Sequence, residues 1–209
     1  MSELKSNNTS KTLTIMFIDL VGYTSKTQTL TREEFHQLHD LFDDIAKKTI
    51  QKFEGTIVKK IGDAYLFYFE SPTDAVHCGV ELQKRFHAYS DEHPEDPLYI
   101  RVALDQGEVI MREGDVYGSS VNLASRIEGI TPARQIYFSE AVEEAMNKNE
   151  IPYMDMGYHE FKGFDEPKHV FRVTWDYEDL KWYQHPSFHM ASAFIAIVIV
   201  VFIVKKIFF

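Results

Sequence analysis

The sequence predicts an α+β domain with a mainly antiparallel sheet and helices packed on one face. Strand-like runs occur in pairs between amphipathic helical stretches instead of alternating strictly with them. Gly62-Asp63 lies between two apolar, aromatic runs, as expected of a tight hairpin turn. At 209 residues, with 44% hydrophobic and 26% charged residues, the chain is long enough for one domain plus an appendage.

The first half of the chain predicts the order βαββαβ. Leu13 to Asp19, L-T-I-M-F-I-D, reads as a buried strand that ends in an acid. Thr31 and Glu34 form a capping box, and apolar residues then recur at near-helical spacing until Gly55. Two strands follow, on either side of Gly62-Asp63. They are followed by a helix opening at Ser71-Pro72 and a strand at 98–104. This order is typical of a ferredoxin-like core.

The second half predicts shorter elements. Gly107 is expected to turn the chain into a short hairpin partner, and Gly118 to Ile130 to form a helix. A strand at 136–138, a helix at 140–147 and a final hairpin of 153–161 with 169–174 complete the domain.

The two ends differ in character from the domain, which is expected at 11–175. Residues 1–10 are polar and predict a disordered tail without a secretory signal, and 176–187 read as an acidic linker. Residues 188–209 predict a membrane anchor helix, because 190–204 carry no charge and Lys205 and Lys206 can snorkel to the interface. A partner-binding or interfacial helix is the alternative.

The anchor implies a single-pass membrane protein with the domain at 11–175 in the cytoplasm. The paired lysines then lie on the translocated side, against the usual positive-inside bias. A formal charge of −10 argues against a nucleic-acid partner. The single cysteine, Cys78, excludes an intrachain disulfide and a cysteine zinc site and suits a reducing compartment.

Two aspartates are candidates for metal binding. Asp19 ends a strand, and Asp63 sits in a turn that could lie beside it in the sheet. Paired carboxylates repel one another unless a cation lies between them, and hard divalent ions select such oxygen ligands. Two solvated aspartates at strand ends are the alternative. The loop Leu20 to Thr24, with Gly22, could turn backbone N–H groups toward a phosphate chain.

A second cluster is D-V-Y-G-S-S-V-N-L-A-S-R, from Asp115 to Arg126. If Gly118 opens a helix, Asn122 and Arg126 stand four residues apart on one face. A guanidinium suits a phosphoryl group that gains charge, and an amide suits a sugar oxygen. An ordinary exposed helix face is the alternative.

Four blocks in this order resemble the catalytic domain of class III nucleotidyl cyclases, the adenylyl and guanylyl cyclases. They are F-I-D-L-V-G-Y-T, V-K-K-I-G-D-A-Y, D-V-Y-G-S-S-V-N-L-A-S-R and E-F-K-G-F-D-E-P, and the resemblance runs from about Lys11 to Thr174. It implies a palm-type domain that makes a 3′,5′-cyclic nucleotide and pyrophosphate at sites formed between two catalytic domains.

By this resemblance, Asp19 and Asp63 hold two divalent cations, Mg²⁺ or Mn²⁺. Lys59 and Asp115 match the family's base-reading pair, whose donor and acceptor suit adenine and therefore imply ATP as the substrate.

The resemblance further implies that Asn122 orients the ribose and Arg126 stabilises the transition state. Lys162, in F-K-G-F, matches a triphosphate-binding lysine. Because the chain carries both sets of residues, a symmetric homodimer with two complete sites is expected, and a monomer should be inactive. The short segment between Gly107 and Asp115 implies a reduced dimerisation arm.

The resemblance thus predicts an adenylate cyclase. Lys59 and Asp63, although neighbours in sequence, would serve different active sites. Cyclisation of GTP or of a pyrimidine triphosphate is one alternative, and a catalytically silent, cyclase-like scaffold is another. A diguanylate cyclase is disfavoured because its G-G-[DE]-E-F signature is absent from the sequence.

Overall fold

The computed structural model describes residues 9–23, 27, 28 and 30–176. The chain divides after Val173, and the folded part described below precedes that boundary. Thr9 and Ser10, predicted to lie in the tail, already belong to the first strand because they pair with Met111 and Ile110.

Strands and helices follow one another in the order β-α-β-β-α-β-β-α-β-α-β-β. The strands are β1 (Thr9–Leu20), β2 (Thr56–Ile61), β3 (Ala64–Phe69), β4 (Ile100–Arg112), β5 (Asp115–Tyr117), β6 (Ile136–Ser139), β7 (Tyr153–His159) and β8 (Lys168–Val173). The helices are α1 (Arg32–Lys52), α2 (Pro72–Glu92), α3 (Ser119–Ile130) and α4 (Glu140–Ala145).

Within the described residues, all eight strands form one mixed sheet. Its order is β2-β3-β1-β4-β6-β8-β7, and β5 pairs with β4 outside this path. The β4–β6 pair is parallel and the other neighbours are antiparallel. The predicted α+β class is therefore confirmed, and β1 to β4 have the order expected of a ferredoxin-like core.

The helix starts follow the sequence signals. Thr31 caps α1, and its hydroxyl accepts a hydrogen bond from the Glu34 N–H while the Glu34 carboxylate accepts one from the Thr31 N–H. Ser71 caps α2, with Pro72 as the first helical residue. Gly118 precedes α3 as predicted. Local capping chemistry thus determines where α1 and α2 begin.

The helices cover both faces of the sheet, so the expectation that they pack on one face is wrong. Neighbouring residues of a strand point to opposite faces. On β4, Val102 packs beneath Gly79 of α2, whereas Ala103 packs with Leu123 and Ile127 of α3. Helix α1 shares the α2 face, where Phe42 meets Phe86. The core therefore has two layers, separated by the sheet.

Gly107 does not turn the chain, in contrast to the prediction. Strand β4 continues through it to Arg112, and the turn into β5 falls at Glu113 and Gly114, both with positive φ. The reason for a glycine at this position is space. A Cβ atom at Gly107 would overlap the hydroxyl of Ser120, which lies in the first turn of α3.

Asp105 is a buried acid on β4. Its side chain is 4% exposed, and its carboxyl group accepts a hydrogen bond from the Ser139 hydroxyl. Burial raises the pKa of Asp105 to about 6, against the opposing effect of hydrogen bonds from Ser139 and the Gln106 backbone. Burial therefore makes ionisation of Asp105 less favourable in the folded chain than in the unfolded chain.

In the described part of the chain, no helix is long and apolar enough to span a bilayer. The predicted linker, apart from Asp176, and the predicted anchor at 188–209 lie outside the described residues. The membrane anchor therefore stays a prediction.

Gly107→Ala is expected to lower the free energy of unfolding by about 1 to 3 kcal/mol, because the new methyl group overlaps Ser120 in a packed core. Urea denaturation measures this change. The double variant with Ser120→Ala should recover most of the loss, since the remaining Ser120 Cβ would lie 3.5 Å from the new methyl group. The effect of Gly107→Ala on the free energy of unfolding is therefore measured twice, once in the wild type and once in the Ser120→Ala background. An equal loss in both backgrounds would contradict this explanation.

Asp105→Asn is expected to stabilise the protein more at neutral than at acid pH. Ionisation of Asp105 is disfavoured in the folded chain, so wild-type stability falls as pH rises from 3.8 through about 6. The advantage of the variant over the wild type should grow by about 2 kcal/mol between about pH 4 and about pH 7.5. Urea denaturation of both proteins at both pH values checks this, and an equal advantage of the variant at the two pH values would contradict it.

Candidate active site

Sheet pairing brings the two predicted metal aspartates to one cavity. In the register, Asp19 of β1 pairs with Ala64 of β3, and Ala64 directly follows Asp63 in the β2–β3 turn. Gly62 makes this turn with a φ of +64°, which suits glycine. Asp19 and Asp63 both line an open cavity of about 360 Å³. The loop after Asp19 contributes Leu20, Gly22 and Tyr23 to the same wall, and Thr24 lies outside the described residues.

Arg101, which the sequence analysis did not identify, neutralises Asp19. Asp19 faces Arg101 across the β1–β4 pairing, and the Arg101 Nε and a terminal nitrogen donate to Asp19 Oδ2 over 2.8 and 2.5 Å. Arg101 Nε also lies 2.6 Å from Glu128 Oε1 of α3. The Arg101 Nε–H points toward Asp19. The buried Glu128 Oε1 is therefore in ion-pair contact with Arg101 but receives no well-aligned hydrogen bond.

The electrostatics of this cluster favour an added cation. Burial raises the pKa of Asp19 and the Asp63 carboxylate raises it further, while the Arg101 guanidinium opposes both effects. Burial likewise raises the pKa of Glu128. Asp19 and Glu128 contact the Arg101 guanidinium, and Asp63 lines the same cavity as Asp19 and Arg101. Three carboxylates near one guanidinium leave an excess of negative charge that suits a divalent ion.

The donor set also fits metal ions that are shared with a substrate. Among the described residues, no group of three or more His, Cys, Asp or Glu side chains is arranged to hold an ion by itself. Mg²⁺ is usually bound through one or two carboxylates, several waters and substrate phosphates. Asp19 and Asp63 could supply the protein's share of such a site.

The side chains of Lys59 and Lys60, which are adjacent on β2, lie on opposite faces of the sheet. Lys59 pairs with Leu66, whose side chain lies in the α3-side core, and Lys60 pairs with Tyr65, which packs on Phe42 of α1. On the α3 side, Lys59 Nζ donates to Asp115 Oδ2 over 2.5 Å. This hydrogen bond lowers the pKa of Asp115. Burial opposes the effect, and a hydrogen bond from the Val116 backbone N–H adds to it.

The predicted residues of α3 lie on its exposed face. Leu123, Ala124 and Ile127 are buried, whereas Asn122 and Arg126 are exposed. At 3.6 residues per turn, Arg126 and Glu128 point about 200° apart. One side of the helix therefore reaches Arg101 beside Asp19, and Asn122 and Arg126 project away from that contact.

Lys162 is exposed at the tip of the turn between β7 and β8. The turn is closed by the Phe164 N–H, which donates to the Phe161 carbonyl over 3.1 Å. The Phe161 ring is buried with Leu123 and Ile127 of α3, which anchors the turn beside that helix. The structure thus brings Asp19 to Asp63 and Lys59 to Asp115. It leaves Asn122, Arg126 and Lys162 on exposed surface.

A model of the adenylate and guanylate cyclase catalytic domain matches residues 5–174. The chain belongs to this family. The match covers the folded part of the chain, and the predicted resemblance to class III cyclases is confirmed.

Curated relatives of this cyclase domain are longer proteins. A serine/threonine-protein kinase, pkn2, of Myxococcus xanthus is 32% identical over 77% of this chain and 19% of its own length. A putative adenylate cyclase 3 of Rhizobium meliloti is 28% identical over 79% of this chain and 28% of its own length. An adenylate cyclase of Streptomyces coelicolor is 31% identical over 67% and 36%. The chain therefore aligns with well under half of each of these relatives.

Solved cyclase structures share the fold. The adenylyl cyclase CyaB from P. aeruginosa superposes with a TM-score of 0.74 at 26% identity, covering 80% of this chain and 95% of that one. The guanylyl cyclase Cya2 superposes with a TM-score of 0.71, also at 26% identity, covering 79% and 93%. Adenylyl and guanylyl cyclases match about equally well, so the fold alone does not select the nucleotide.

Arg101→Gln is expected to strengthen Mn²⁺ binding in the absence of nucleotide by about threefold to tenfold, because a guanidinium no longer competes for Asp19. Titration calorimetry of the full chain measures the affinity. Arg112→Gln is the matched control, since Arg112 lies exposed on the same strand beside Glu113. An unchanged or weaker affinity in Arg101→Gln would show that Arg101 and the metal ion do not compete.

Proposed function

We propose that this cyclase domain converts ATP to 3′,5′-cyclic AMP and pyrophosphate in a homodimer with two sites. The observation that carries the proposal is that one chain contains two clusters of charged side chains suited to the two halves of a site. Asp19 and Asp63 line one cavity, and the Lys59–Asp115 pair lies on the opposite side of β2 from Lys60. Adenylate cyclases among the relatives support the choice of reaction.

In this reaction the ribose 3′-oxygen forms a bond to the α-phosphorus, and the bond from that phosphorus to the bridging oxygen of the β-phosphate breaks. The hydroxyl proton passes to solvent water, and pyrophosphate departs with the bonding electron pair. Divalent ions bound by Asp19 and Asp63 would activate the 3′-hydroxyl and neutralise the triphosphate. The remaining steps fall to the chain's own side chains.

Lys59 and Asp115 would read the base. The Lys59 ammonium can donate to adenine N1, and the Asp115 carboxylate can accept from the exocyclic amine. Their direct ion pair, with side chains 42% and 24% exposed, lies where a ligand can separate them. Two such groups discriminate strongly between adenine and other bases, because a base without a matching donor and acceptor leaves Lys59 or Asp115 unpaired.

Asn122 would hold the ribose, and Arg126 would stabilise the charge that develops on the phosphoryl oxygens. Lys162 and Arg101 are cations suited to the β- and γ-phosphates. Arg101 is already beside Asp19, so it can move from the carboxylate to the triphosphate as the metal ions enter.

A second copy of the chain completes each site in this proposal. Asn122 and Arg126 are exposed and point away from the contact of their own Glu128 with Arg101. A two-fold dimer would set them against the Asp19 cavity of the partner, and the same operation would build the second site. The predicted membrane anchor at 188–209 remains part of the proposal and rests on the sequence alone.

The test is to incubate the full chain, in detergent micelles, separately with ATP, GTP, CTP and UTP plus Mn²⁺ and to identify the products by mass. Cyclic AMP is expected from ATP. Asp63→Ala and Arg126→Ala should each abolish it. Mixing the two variants in equal amounts should restore about a quarter of wild-type activity, since half of the dimers are mixed and each mixed dimer has one complete site.

Asp44→Ala, a change on the exposed side of α1, is the matched control and should remain active. Cyclisation of another triphosphate would overturn the base assignment to Lys59 and Asp115 and leave the cyclase mechanism standing. Failure of the two variants to complement one another would contradict the shared sites. No cyclic product from any triphosphate would point to the silent scaffold.

A further inference from the structure

His39 connects the segment that follows Asp19 with the segment that precedes Asp63. It is half-buried on α1, where its ring packs against Phe35 at a centroid distance of 4.5 Å. Its Nε2 lies 2.6 Å from the hydroxyl oxygen of Tyr23, and its Nδ1 lies 3.0 Å from Lys60 Nζ. One imidazole therefore bridges the loop after β1 and the strand β2.

The chemistry of the partners determines where the imidazole carries its proton. A lysine ammonium has three donors and no acceptor, so Nδ1 of His39 must be the acceptor in its contact with Lys60. The proton of the neutral ring is then on Nε2, which donates to the Tyr23 hydroxyl. Both contacts form only in this tautomer of the neutral ring.

The two partners of His39 lie close in sequence to the predicted metal aspartates. Tyr23 follows Asp19 by four residues and lines the same cavity as Asp19 and Asp63. Burial raises the pKa of Tyr23, and the Asp63 carboxylate raises it further. Lys60 precedes Asp63 by three residues on the strand that leads into its turn.

The charged surroundings keep the imidazole neutral near neutral pH. Burial lowers the pKa of His39, Lys60 on β2 and His36 on α1 lower it further, and Asp43 and Asp40 on α1 oppose them. Asp43 in turn accepts from Lys60 over 2.6 Å, which holds the ammonium beside the ring.

Protonation of His39 would place an N–H⁺ at Nδ1 directly against that ammonium. The Lys60 contact would then turn from a hydrogen bond into a repulsion.

We propose that His39 is a positioning residue of the nucleotide site. In its neutral form it ties the Tyr23 loop to the Lys60 strand, so that Asp19 and Asp63 are held at the spacing that binds a metal–nucleotide complex. Its protonation releases the tie and weakens that binding. This inference rests on the proposed function for the identity of the ligand, but the tie itself is a property of the free chain.

The first test concerns the free protein. Nitrogen-15 NMR of the histidine side chains in the full chain should show His39 as the Nε2–H tautomer, protonating below the ordinary pH range of a histidine. His36, which is exposed on the same helix, serves as the reference signal. Tyr23→Phe should shift the His39 nitrogen signals and leave those of His36 in place. An Nδ1–H tautomer for His39 would overturn the proposal whatever the enzyme's activity.

The second test measures binding without turnover. The probe is 3′-deoxy-ATP with Mn²⁺, which lacks the attacking hydroxyl, titrated into the full chain at about pH 7.5 and about pH 5.5. His39→Gln keeps one acceptor and one donor but cannot be protonated. Acidification should weaken binding about fivefold more in the wild type than in His39→Gln. Protonation of the nucleotide and of the aspartates affects both proteins and cancels from this ratio.

His36→Gln should behave like the wild type in this titration, and His39→Leu should bind weakly at both pH values. Equal acid weakening in the wild type and His39→Gln would overturn the proposal. If the wild type binds the probe with the expected pH dependence but cyclises no triphosphate, the proposed function fails and the role of His39 stands. If the wild type binds no nucleotide, both fail.

Discussion

The pairing of β1 with β3 and β4 is the constraint on which the candidate site depends. β1 lies between these strands, so its last residues meet both of them, and Asp19 faces Ala64 on one side and Arg101 on the other. A shift of one residue in either pairing would turn Asp19 to the opposite face from its partners. The buried residues Ile15, Met16 and Ile18, fully enclosed between the helical layers, fix that register.

Helix α3 makes the second constraint, because it presents functional groups in two directions. Its buried residues dock on the sheet, and the close approach at Ser120 is possible because Gly107 has no side chain. Glu128 then reaches Arg101, while Asn122 and Arg126 remain on the exposed side. A helix that is fixed by close packing can therefore hold side chains in two directions with more precision than a loop could.

Local signals in the sequence were sufficient for much of this architecture. The capping box at Thr31 and the turn at Gly62-Asp63 are encoded by adjacent residues, and both occur where they were expected. The turn predicted at Gly107 was wrong because this glycine makes room for Ser120 of α3, thirteen residues later. The spacing of residues in the sequence does not reveal such a contact. Arg101 was missed for the same reason, since it gains its meaning only from the register that sets it against Asp19.

Each candidate half-site contains one ion pair that is already formed within the free chain. Asp19 is bound to Arg101, and Lys59 to Asp115, so neither half-site leaves these buried or half-buried charges without a partner. An unpaired carboxylate at the position of Asp19 would cost several kcal/mol, by the general expense of uncompensated buried charge. Under the proposed function, binding of a metal–nucleotide complex would be an exchange of partners. Asp19 would give up Arg101 for a cation, the Arg101 guanidinium would turn to phosphate, and Lys59 and Asp115 would separate to hold a base edge. Each step substitutes one interaction for another, so the stability of the empty domain and its affinity for a charged substrate do not conflict.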